Sequence, residues 1–444
     1  MKNVKLSKLW DSLHSSYWFI PTLMAVGSII LAIAMLNLDR TGNIPSWGWI
    51  YTGGTDGARS LLSSVAGSMV SVVATAFSIT IVALQLASSN FGPRLLRNFM
   101  QDTGNQIVLG TFIATFIYCL LVLRTIHSEG EEYEEFVPQL SVTVGTGLAI
   151  VSIGVLIYFI HHASTIIQAS HVITQVSGEL DKAIDRIFPE KIGDDKANHL
   201  RQVGEIPANF DAEASPIKAT GDGYLQAIDD DELMKIARQY NLLVRLKTRP
   251  GKFIVKGSDL AMVLPGERVN QNLNQQINDA FILGKERTEY QDVEFPIDQL
   301  VEIALRAISP AVNDPFTAIR CIDRLSAGLS RLAQRDFPSP YRYDDEHNLR
   351  VIALGVTFEK LVDSAFNQIR QYSKPDVAVI IRLLEAIACI ATYTSNSKQR
   401  EALRRHAEMI LNSSREQISQ EQDQKDVQER YHRVIKALGQ DEFI

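Results

Sequence analysis

A run of about 31 residues, from Leu61 to Phe91, contains no charged side chain and is rich in Val, Ile, Ala and Leu. At about 1.5 Å per residue, a helix of this length spans about 46 Å, which exceeds the hydrocarbon core of a bilayer. A lipid environment requires every backbone polar group to be satisfied within the segment, and a helix does this. We therefore expect a membrane-spanning helix here.

Small polar side chains recur along this helix at alternating steps of four and three residues. They are Ser64, Ser68, Ser71, Thr75, Ser78, Gln85 and Ser89, with Val82 interrupting the series. This spacing predicts one polar helix face, which should contact protein or water rather than lipid tails. Two interpretations remain open: close helix packing, or the lining of a pore.

Three further apolar spans are predicted at 17–38, 107–123 and 140–160. Each is about 17–22 residues long, enough to cross a bilayer with little tilt. The first is too long for a signal-peptide core and lacks a convincing cleavage site, so we expect it to be retained. The chain is therefore predicted to have four transmembrane helices in its first 160 residues.

Basic residues in the loops indicate the orientation. Five lie on the side of the N-terminus and three on the other: Lys2, Lys5, Lys8, Arg94 and Arg97 against Arg40, Arg59 and Arg124. This bias predicts that both termini are cytoplasmic. After the break at Pro93, Arg94 and Arg97 are predicted to lie at the membrane interface, where arginines reach lipid phosphates.

Composition excludes several classes of function. The 444 residues carry a net charge of −7, which argues against a nucleic-acid binder. Cys119, Cys321 and Cys389 have neither CxxC nor Cys/His ligand spacing, so no metal site or disulfide framework is expected. No nucleophile–base pair or phosphate loop is visible, and we expect neither an enzyme nor a bound cofactor.

The remainder of the chain predicts a cytoplasmic α+β domain with a small β-barrel-like part and a helical part. The expected divisions are a membrane domain at 1–160, a helical connector at 161–200, a β-rich subdomain at 201–266 and a helical domain at 267–444. The connector continues the fourth span as a helix with one apolar seam, which requires a partner in the same chain or another subunit.

Strands and helices in this part follow from local patterns. Strands are expected within 216–228 and at 242–246, 253–255 and 260–264, and Asp230 is predicted to cap a helix at 231–240. Asp314 followed by Pro315 predicts another helix start. The further helices are expected at 269–281, 297–307, 316–332, 358–371, 375–393 and 398–414, with a polar helix after Glu421.

Three motifs resemble a bacterial family of predicted membrane proteins catalogued as domain of unknown function 2254. They are SSNFGPRLLRNFM, GKFIVKGSDLAMV and GKERTEYQDVEFPIDQLVEIALRAISPAVNDPFTAIRCIDRL. The resemblance covers about residues 10 to 335 and implies a bacterial inner-membrane protein with no known activity. The positions that it marks include Pro93, Arg94, Gly257, Gly284, Arg287, Asp292, Arg306, Pro310, Asn313, Asp314, Pro315 and Thr317.

The charged members of this motif have two interpretations. Arg287, Asp292 and Arg306 either form a buried charge network that positions helices, or contact a small ligand or a neighbouring subunit. Asn313 and Asp314 are interpreted mainly as helix-capping residues.

Two functions of different class are compatible with the sequence. The first is an oligomeric channel in which several copies place the polar face of the second span around an axis, so that hydroxyls replace part of an ion's hydration. The second is a membrane-anchored scaffold or sensor whose cytoplasmic domain binds a ligand or a protein. A coupled transporter is less favoured because the spans lack carboxylates and broken helices.

Overall fold

The computed structural model describes residues 17–41, 48–92, 102–127, 136–188, 206–373, 376–394 and 396–439. The chain divides into two compact units, Met1–His171 and Val172–Ile444. Each unit has its own hydrophobic core. The division falls within the segment that the sequence predicted to be a helical connector.

In the residues that the structure describes, the first unit has four long apolar helices, as the sequence predicted. They are α1 (Phe19–Arg40), α2 (Thr55–Phe91), α3 (Thr103–Leu123) and α4 (Gln139–Ile166). All four are long and apolar enough to cross a membrane. This confirms the predicted class of a membrane protein with four spans at the N-terminal end of the chain.

Helix α3 is the central element of this unit and packs against α1, α2 and α4. Its residues Phe112, Tyr118 and Cys119 are fully buried. Small side chains on neighbouring helices, such as Ala32 on α1 and Ala66 on α2, complete the core. Close packing of this kind is how membrane helices associate when burial from water provides no driving force between them.

The beginning of α4 is held by Asp39, the penultimate residue of α1. Its carboxylate accepts hydrogen bonds from the backbone N–H groups of Leu140 and Ser141, both at 2.9 Å, and from the Ser141 hydroxyl at 2.5 Å. Asp39 is buried. An acidic side chain here satisfies N–H groups that have no partner within the helix and interacts favourably with the helix dipole.

A second acidic cap lies at the beginning of α3. Asp102 accepts a hydrogen bond from the Asn105 backbone N–H at 2.8 Å, and its carboxylate is 2.7 Å from Nε2 of His162 on α4. The His162 ring stacks on Tyr158, with 5.3 Å between centroids. His162 therefore helps to join α3 and α4.

The described residues of the second unit include eight strands in two sheets. The strands are β1 (Ser215–Lys218), β2 (Gly223–Ile228), β3 (Leu243–Leu246), β4 (Phe253–Ile254), β5 (Asp259–Leu264), β6 (Phe281–Gly284), β7 (Tyr341–Tyr343) and β8 (Leu349–Ile352). One sheet has the order β1-β5-β3-β8-β7 and the other β4-β2-β6. All pairs are antiparallel except β3 with β8.

Among the described residues of the second unit, the helices follow the sequence expectations to within a few residues, except for the short α6, which the sequence did not predict. They are α5 (Ala169–Ile187), α6 (Phe210–Glu213), α7 (Asp230–Gln239), α8 (Gln271–Asp279), α9 (Glu294–Ala307), α10 (Pro315–Ala333), α11 (Phe358–Tyr372), α12 (Val377–Ala391), α13 (Ser397–Gln417) and α14 (Glu421–Ala437). Together with the sheets they confirm the predicted α+β character.

Three local predictions differ from the structure. The fourth span does not continue unbroken into the connector, because α4 ends at Ile166 and α5 begins at Ala169. Asp229, not Asp230, caps α7 and accepts from the Glu232 N–H at 3.1 Å. The predicted helix at 269–281 is shorter, since Phe281 begins strand β6, whose pairing with β2 outweighs the local helical pattern.

The apolar seam of α5 packs within its own chain. Leu180 and Ile184 are buried, and a Cβ at Gly328 on α10 would lie 2.6 Å from Cδ2 of Leu180. On the same side, Arg331 forms ion pairs with Asp181 and Asp185. Helix α10 of the same chain is therefore a packing partner of the seam.

Candidate functional site

The polar face of α2 lies on the outside of the four-helix unit. The six predicted pore-lining side chains are all exposed: Ser64, Ser68, Ser71, Thr75, Ser78 and Gln85. The buried side chains of the helix occupy the opposite face and are Ala58, Leu62, Ala66, Met69, Ala76, Thr80, Ala83, Ala87 and Phe91. The helix thus packs against its own chain by one face and presents its hydroxyls on the other.

Most of these hydroxyls bond to the helix that carries them. Each donates to the carbonyl oxygen four residues earlier: Ser68 to Ser64 at 2.7 Å, Ser71 to Gly67 at 3.4 Å, Thr75 to Ser71 at 3.0 Å and Ser78 to Ala74 at 2.8 Å. This arrangement uses the hydroxyl proton within the helix. The oxygen lone pairs are still able to accept, so the face is chemically a row of acceptors.

Close approach to this face is possible at Gly67. Gly67 lies beside Ser68 and Ser71, and a Cβ built at Gly67 has no neighbouring atom within 4 Å. Small side chains in this arrangement allow a second helix to approach closely. The predicted interfacial residues Arg94 and Arg97 lie outside the described residues.

Arg287 is the centre of a charge cluster in the second unit. Its Nε and Nη2 donate to Oδ2 of Asp292 at 2.9 and 2.7 Å, and its Nη1 donates to Oδ2 of Asp298 at 2.6 Å. The Asp292 side chain is only 1% exposed. Burial opposes the charge on Arg287, but Asp292 and Asp298 outweigh this effect and raise its pKa above the ordinary value.

The cluster connects the sheet part to the beginning of α9. Asp292 Oδ1 accepts from the Glu294 backbone N–H at 3.1 Å, and Arg249 Nη2 donates to Glu294 at 2.7 Å. Gly251 has φ +89°, and a Cβ there would lie 2.2 Å from Oδ2 of Asp292. Arg287 and Asp292 therefore belong to a largely buried charge network at the beginning of α9, and a ligand or subunit contact stays a prediction from the sequence.

Arg306 forms an ion pair with a residue of its own helix. It lies on α9 with Nη2 at 3.5 Å from Glu302, one helical turn earlier, and about a third of its side chain is exposed. The sequence grouped Arg306 with Arg287 and Asp292, and its ion pair with Glu302 lies within α9.

Asn313 and Asp314 begin helix α10. Asp314 accepts hydrogen bonds from the backbone N–H of Thr317 at 3.2 Å and from its hydroxyl at 2.6 Å. Asn313 has φ +50°, a conformation that Asn tolerates better than most residues. Asp314 therefore occupies the capping position of α10, and Asn313 lies directly before it.

Neither cysteines nor acidic residues form a metal centre in the described part of the chain. Cys119 and Cys321 are buried, Cys389 is exposed, and all three are free thiols. No group of three or more His, Cys, Asp or Glu side chains among the described residues could hold a metal ion.

Comparison with known proteins identifies the family. The profile of the family described as predicted membrane protein (DUF2254) matches residues 14–389. The chain belongs to this family. Membership of DUF2254 agrees with the four apolar helices and confirms the resemblance that the three sequence motifs indicated.

Relatives of this DUF2254 protein include uncharacterized proteins of Mycobacterium bovis and Mycobacterium tuberculosis. Each is 32% identical over 422 residues, which cover 93% of this chain and 79% of the relative. No solved structure matches the chain. The family and its relatives thus establish a membrane protein of unknown function.

Sequence reasoning missed several residues that organise these sites. Asp39 directly follows the first apolar span. An acidic residue directly after a span is a sequence signal that could have indicated its role as a cap for another helix. Arg249, Gly251 and Glu294 became visible only in the fold, because their contacts with one another and with Asp292 join separate parts of the sequence.

Proposed function

We propose that this DUF2254 protein is an oligomeric, channel-like protein of the bacterial inner membrane that passes small ions. The observation that supports the proposal is the outward position of the hydroxyl face of α2. Ser68, Ser71 and Thr75 lie on the surface of their own bundle, so this face is available to water or to the same face of other copies in the membrane.

A conduit of this kind requires several copies. Phe112, Tyr118 and Val142 are fully buried in the interior of the four-helix unit, so side chains fill the space between its helices. A ring of chains, each contributing α2, would instead enclose an axis lined by Ser64, Ser68, Ser71, Thr75, Ser78 and Gln85. We propose a homo-oligomer in the lipid bilayer for this reason.

The chemistry of the face favours cations. Hydroxyl protons donated to carbonyls within α2 leave oxygen lone pairs directed outward, and such oxygens can replace water around a small cation. Neither a catalytic role nor nucleic-acid binding is part of the proposal. Both termini are proposed to be cytoplasmic, following the bias of basic residues in the loops.

Cysteine modification in planar bilayers provides the test. In a Cys389→Ser background, Ser71→Cys and Thr75→Cys should each make a measured conductance sensitive to a water-soluble cationic thiol reagent. Val70→Cys is the matched control, because Val70 is adjacent and half exposed but lies off the polar face. Cys119 and Cys321 are buried and should not react.

Three results would contradict the channel. They are a silent protein across salts, voltages and membrane tension, equal block at positions 70 and 71, and a monomeric mass in detergent. Ser71→Leu and Thr75→Leu should reduce conductance, whereas Val70→Leu should preserve it.

A non-conducting scaffold or sensor is the second candidate. The observation that favours it is the second unit itself, which has an independent core around β3, β5 and α7 and extends over more of the chain than the four helices do. A protein with no conductance whose second unit binds a defined ligand would support this candidate directly.

A further inference from the structure

The second unit contains a cavity of about 360 Å³. This volume lies within the range of about 300–1,000 Å³ that is common for small-molecule sites. Its walls come from the end of α5, the start of α7 and the loops around β3, β7 and β8. All of these residues belong to the unit Val172–Ile444.

The sheet topology explains where the cavity lies. Strands β3 and β8 are parallel neighbours, with Val244 paired to Val351 and Arg245 to Ile352. Their carboxyl ends are therefore at the same edge of the sheet, where the segments 248–250 and 353–356 leave the strands and line the cavity. In sheets with parallel strands, ligands commonly bind in the crevice outside the carboxyl ends.

The lining is electropositive. It includes Arg186, Arg249 and Arg342 against a single carboxylate, Asp230. Arg249 is paired with Glu294 at 2.7 Å. The net positive charge of the cavity therefore comes from Arg186 and Arg342, partly offset by Asp230.

Among the described residues, the hydrogen bonds of Arg186 and Arg342 are with uncharged groups. Arg186 Nη2 donates to the Glu289 carbonyl at 3.0 Å, and its guanidinium lies 5.0 Å from the centroid of the Tyr290 ring. Arg342 donates to the carbonyl oxygens of Ser339 and Tyr341. Within the described part of the chain, neither guanidinium has a carboxylate within ion-pair distance.

Two other features of the wall suit a bound molecule. Thr248 is buried, and its hydroxyl has no hydrogen-bond partner among the described residues. Leu246 is buried at the wall, whereas Leu354 is half exposed there. The cavity thus combines apolar surface with a small number of polar and cationic groups, as small-molecule sites commonly do.

We propose that this cavity binds a small organic phosphate, with the phosphoryl group held by Arg186 and Arg342 and the apolar remainder against Leu246, Leu354 and Tyr290. One arginine can bind both oxygens of a carboxylate in a bidentate pair. A phosphoryl group has three oxygens, which can accept hydrogen bonds from two arginines. The proposal is independent of ion conduction and assigns a ligand class to the second unit.

Asp230 lies on the same wall and limits the affinity. Burial raises the pKa of the Asp230 carboxyl above its ordinary value. Arg342 lowers this pKa, whereas the neighbouring charges of Asp229 and Asp231 raise it. While ionised, this carboxylate repels a phosphoryl group. Removing its charge should therefore strengthen binding, which is an effect that a purely structural role would not produce.

The experiment measures binding to the full chain in detergent by isothermal titration. The probes are adenosine 5′-monophosphate, adenosine and inorganic phosphate. Adenosine 5′-monophosphate should bind, and adenosine should bind at least tenfold more weakly. Arg186→Gln and Arg342→Gln should each raise the dissociation constant about tenfold or more, because each removes a charge-assisted contact. Asp230→Asn should lower it several-fold.

The matched control is Arg238→Gln. Arg238 is also a half-exposed arginine of this unit, but it pairs with Asp345 and is not part of the cavity wall. Its substitution should leave the dissociation constant unchanged. Because Arg186 and Arg342 are both exposed, the variants should fold normally, and far-UV circular dichroism checks this.

A lipid headgroup could supply the same chemistry, and a second arm distinguishes the source. The chain is placed in nanodiscs of phosphatidylcholine, with or without phosphatidate. If phosphatidate occupies the site, adenosine 5′-monophosphate should bind more weakly in the discs that contain it. The Arg342→Gln variant should not show this competition. This result would support the site and assign the lipid as its ligand. The proposal would be overturned if neither adenosine 5′-monophosphate nor phosphatidate bound to the chain. It would also be overturned if binding were unchanged in both Arg186→Gln and Arg342→Gln.

Discussion

Asp39 at the end of α1 accepts two hydrogen bonds from Ser141 at the start of α4, one from the backbone N–H at 2.9 Å and one from the hydroxyl at 2.5 Å. A third comes from the Leu140 N–H. Ser141 in turn accepts from the Tyr118 hydroxyl on α3 through its carbonyl oxygen at 3.0 Å. Three transmembrane helices are therefore joined at one end by a chain of buried polar contacts.

Asp39→Ala should destabilise the membrane unit by about 1–3 kcal/mol, because it leaves buried N–H groups without an acceptor. The midpoint of thermal unfolding in detergent, followed by far-UV circular dichroism, measures the effect. Asp56→Ala, at an exposed position in the first turn of α2, is the control and should have a smaller effect. Equal midpoints for the two variants would contradict the capping role.

Arg287→Gln should be among the most destabilising single substitutions in the second unit. It removes the cation that pairs with the buried Asp292 carboxylate, and breaking a buried ion pair in this way costs about 3–5 kcal/mol. Denaturant unfolding of the full chain measures the loss. Lys218→Gln, which breaks the exposed pair with Asp259, should cost about 1 kcal/mol or less.

Gly251→Ala tests the contact between the backbone at position 251 and the Asp292 carboxylate of the same charge cluster. A methyl group at position 251 would overlap the Asp292 carboxylate, and the φ of +89° disfavours any side chain. We expect a loss of stability in Gly251→Ala, measured by the same denaturant unfolding. Gly355→Ala, where a Cβ meets no atom within 4 Å, is the control. A fully stable Gly251→Ala protein would show that this contact is not tight.

Asp314→Ala should cost about 1 kcal/mol, because the first turn of α10 loses its side-chain acceptor. Asp314→Asn should retain most of the stability, since Asn is also a good cap. Hydrogen exchange of peptides from 315–320 gives a local measurement. Unchanged protection in Asp314→Ala would refute the capping assignment.

Stability of the helical part should fall as the pH drops below about 6.5. Burial lowers the pKa of His406 below its ordinary value of 6.5, although Asp363 opposes this shift. As the pH falls, His406 therefore binds a proton near pH 6.5 in the unfolded chain but only at lower pH in the folded chain. The contribution of neutral His406 to the free energy of unfolding is complete above pH 6.5 and decreases below it. Hydrogen exchange at α13, corrected for the intrinsic effect of pH, measures this dependence.

Substitution of His406 separates its contribution from other groups. His406→Gln should flatten the decrease below pH 6.5, whereas His432→Gln, at an exposed position on α14, should leave it unchanged. The same slope in all three proteins would show that another group is responsible.

The membrane helices could be predicted closely because an uncharged run such as 107–123 has few alternatives to a transmembrane helix. Caps such as Asp314 were also predictable, since their signal lies within a few residues. Strands β7 and β8 were not predicted, because the sequence around Arg342 and Arg350 is strongly polar and β8 depends on pairing with a distant strand.

The candidate sites also differ in how far they could be predicted from the sequence. The outward face of α2 is a periodic property of one helix, so Ser71 and Thr75 could be grouped from the sequence. The pairing of Arg249 with Glu294 depends on how the elements pack, and the cavity draws its wall from residues between Arg186 and Val356. Such sites require tertiary structure.

Pairing of β8 with β3 has a practical consequence for dissecting this protein. Residues 341–352 supply two of the five strands of the larger sheet, so a fragment that ends before Tyr341 would expose the edge of β3. Open edges of this kind invite association with other chains. We therefore expect truncations before residue 341 to aggregate, and soluble fragments to need at least the chain through Ile352.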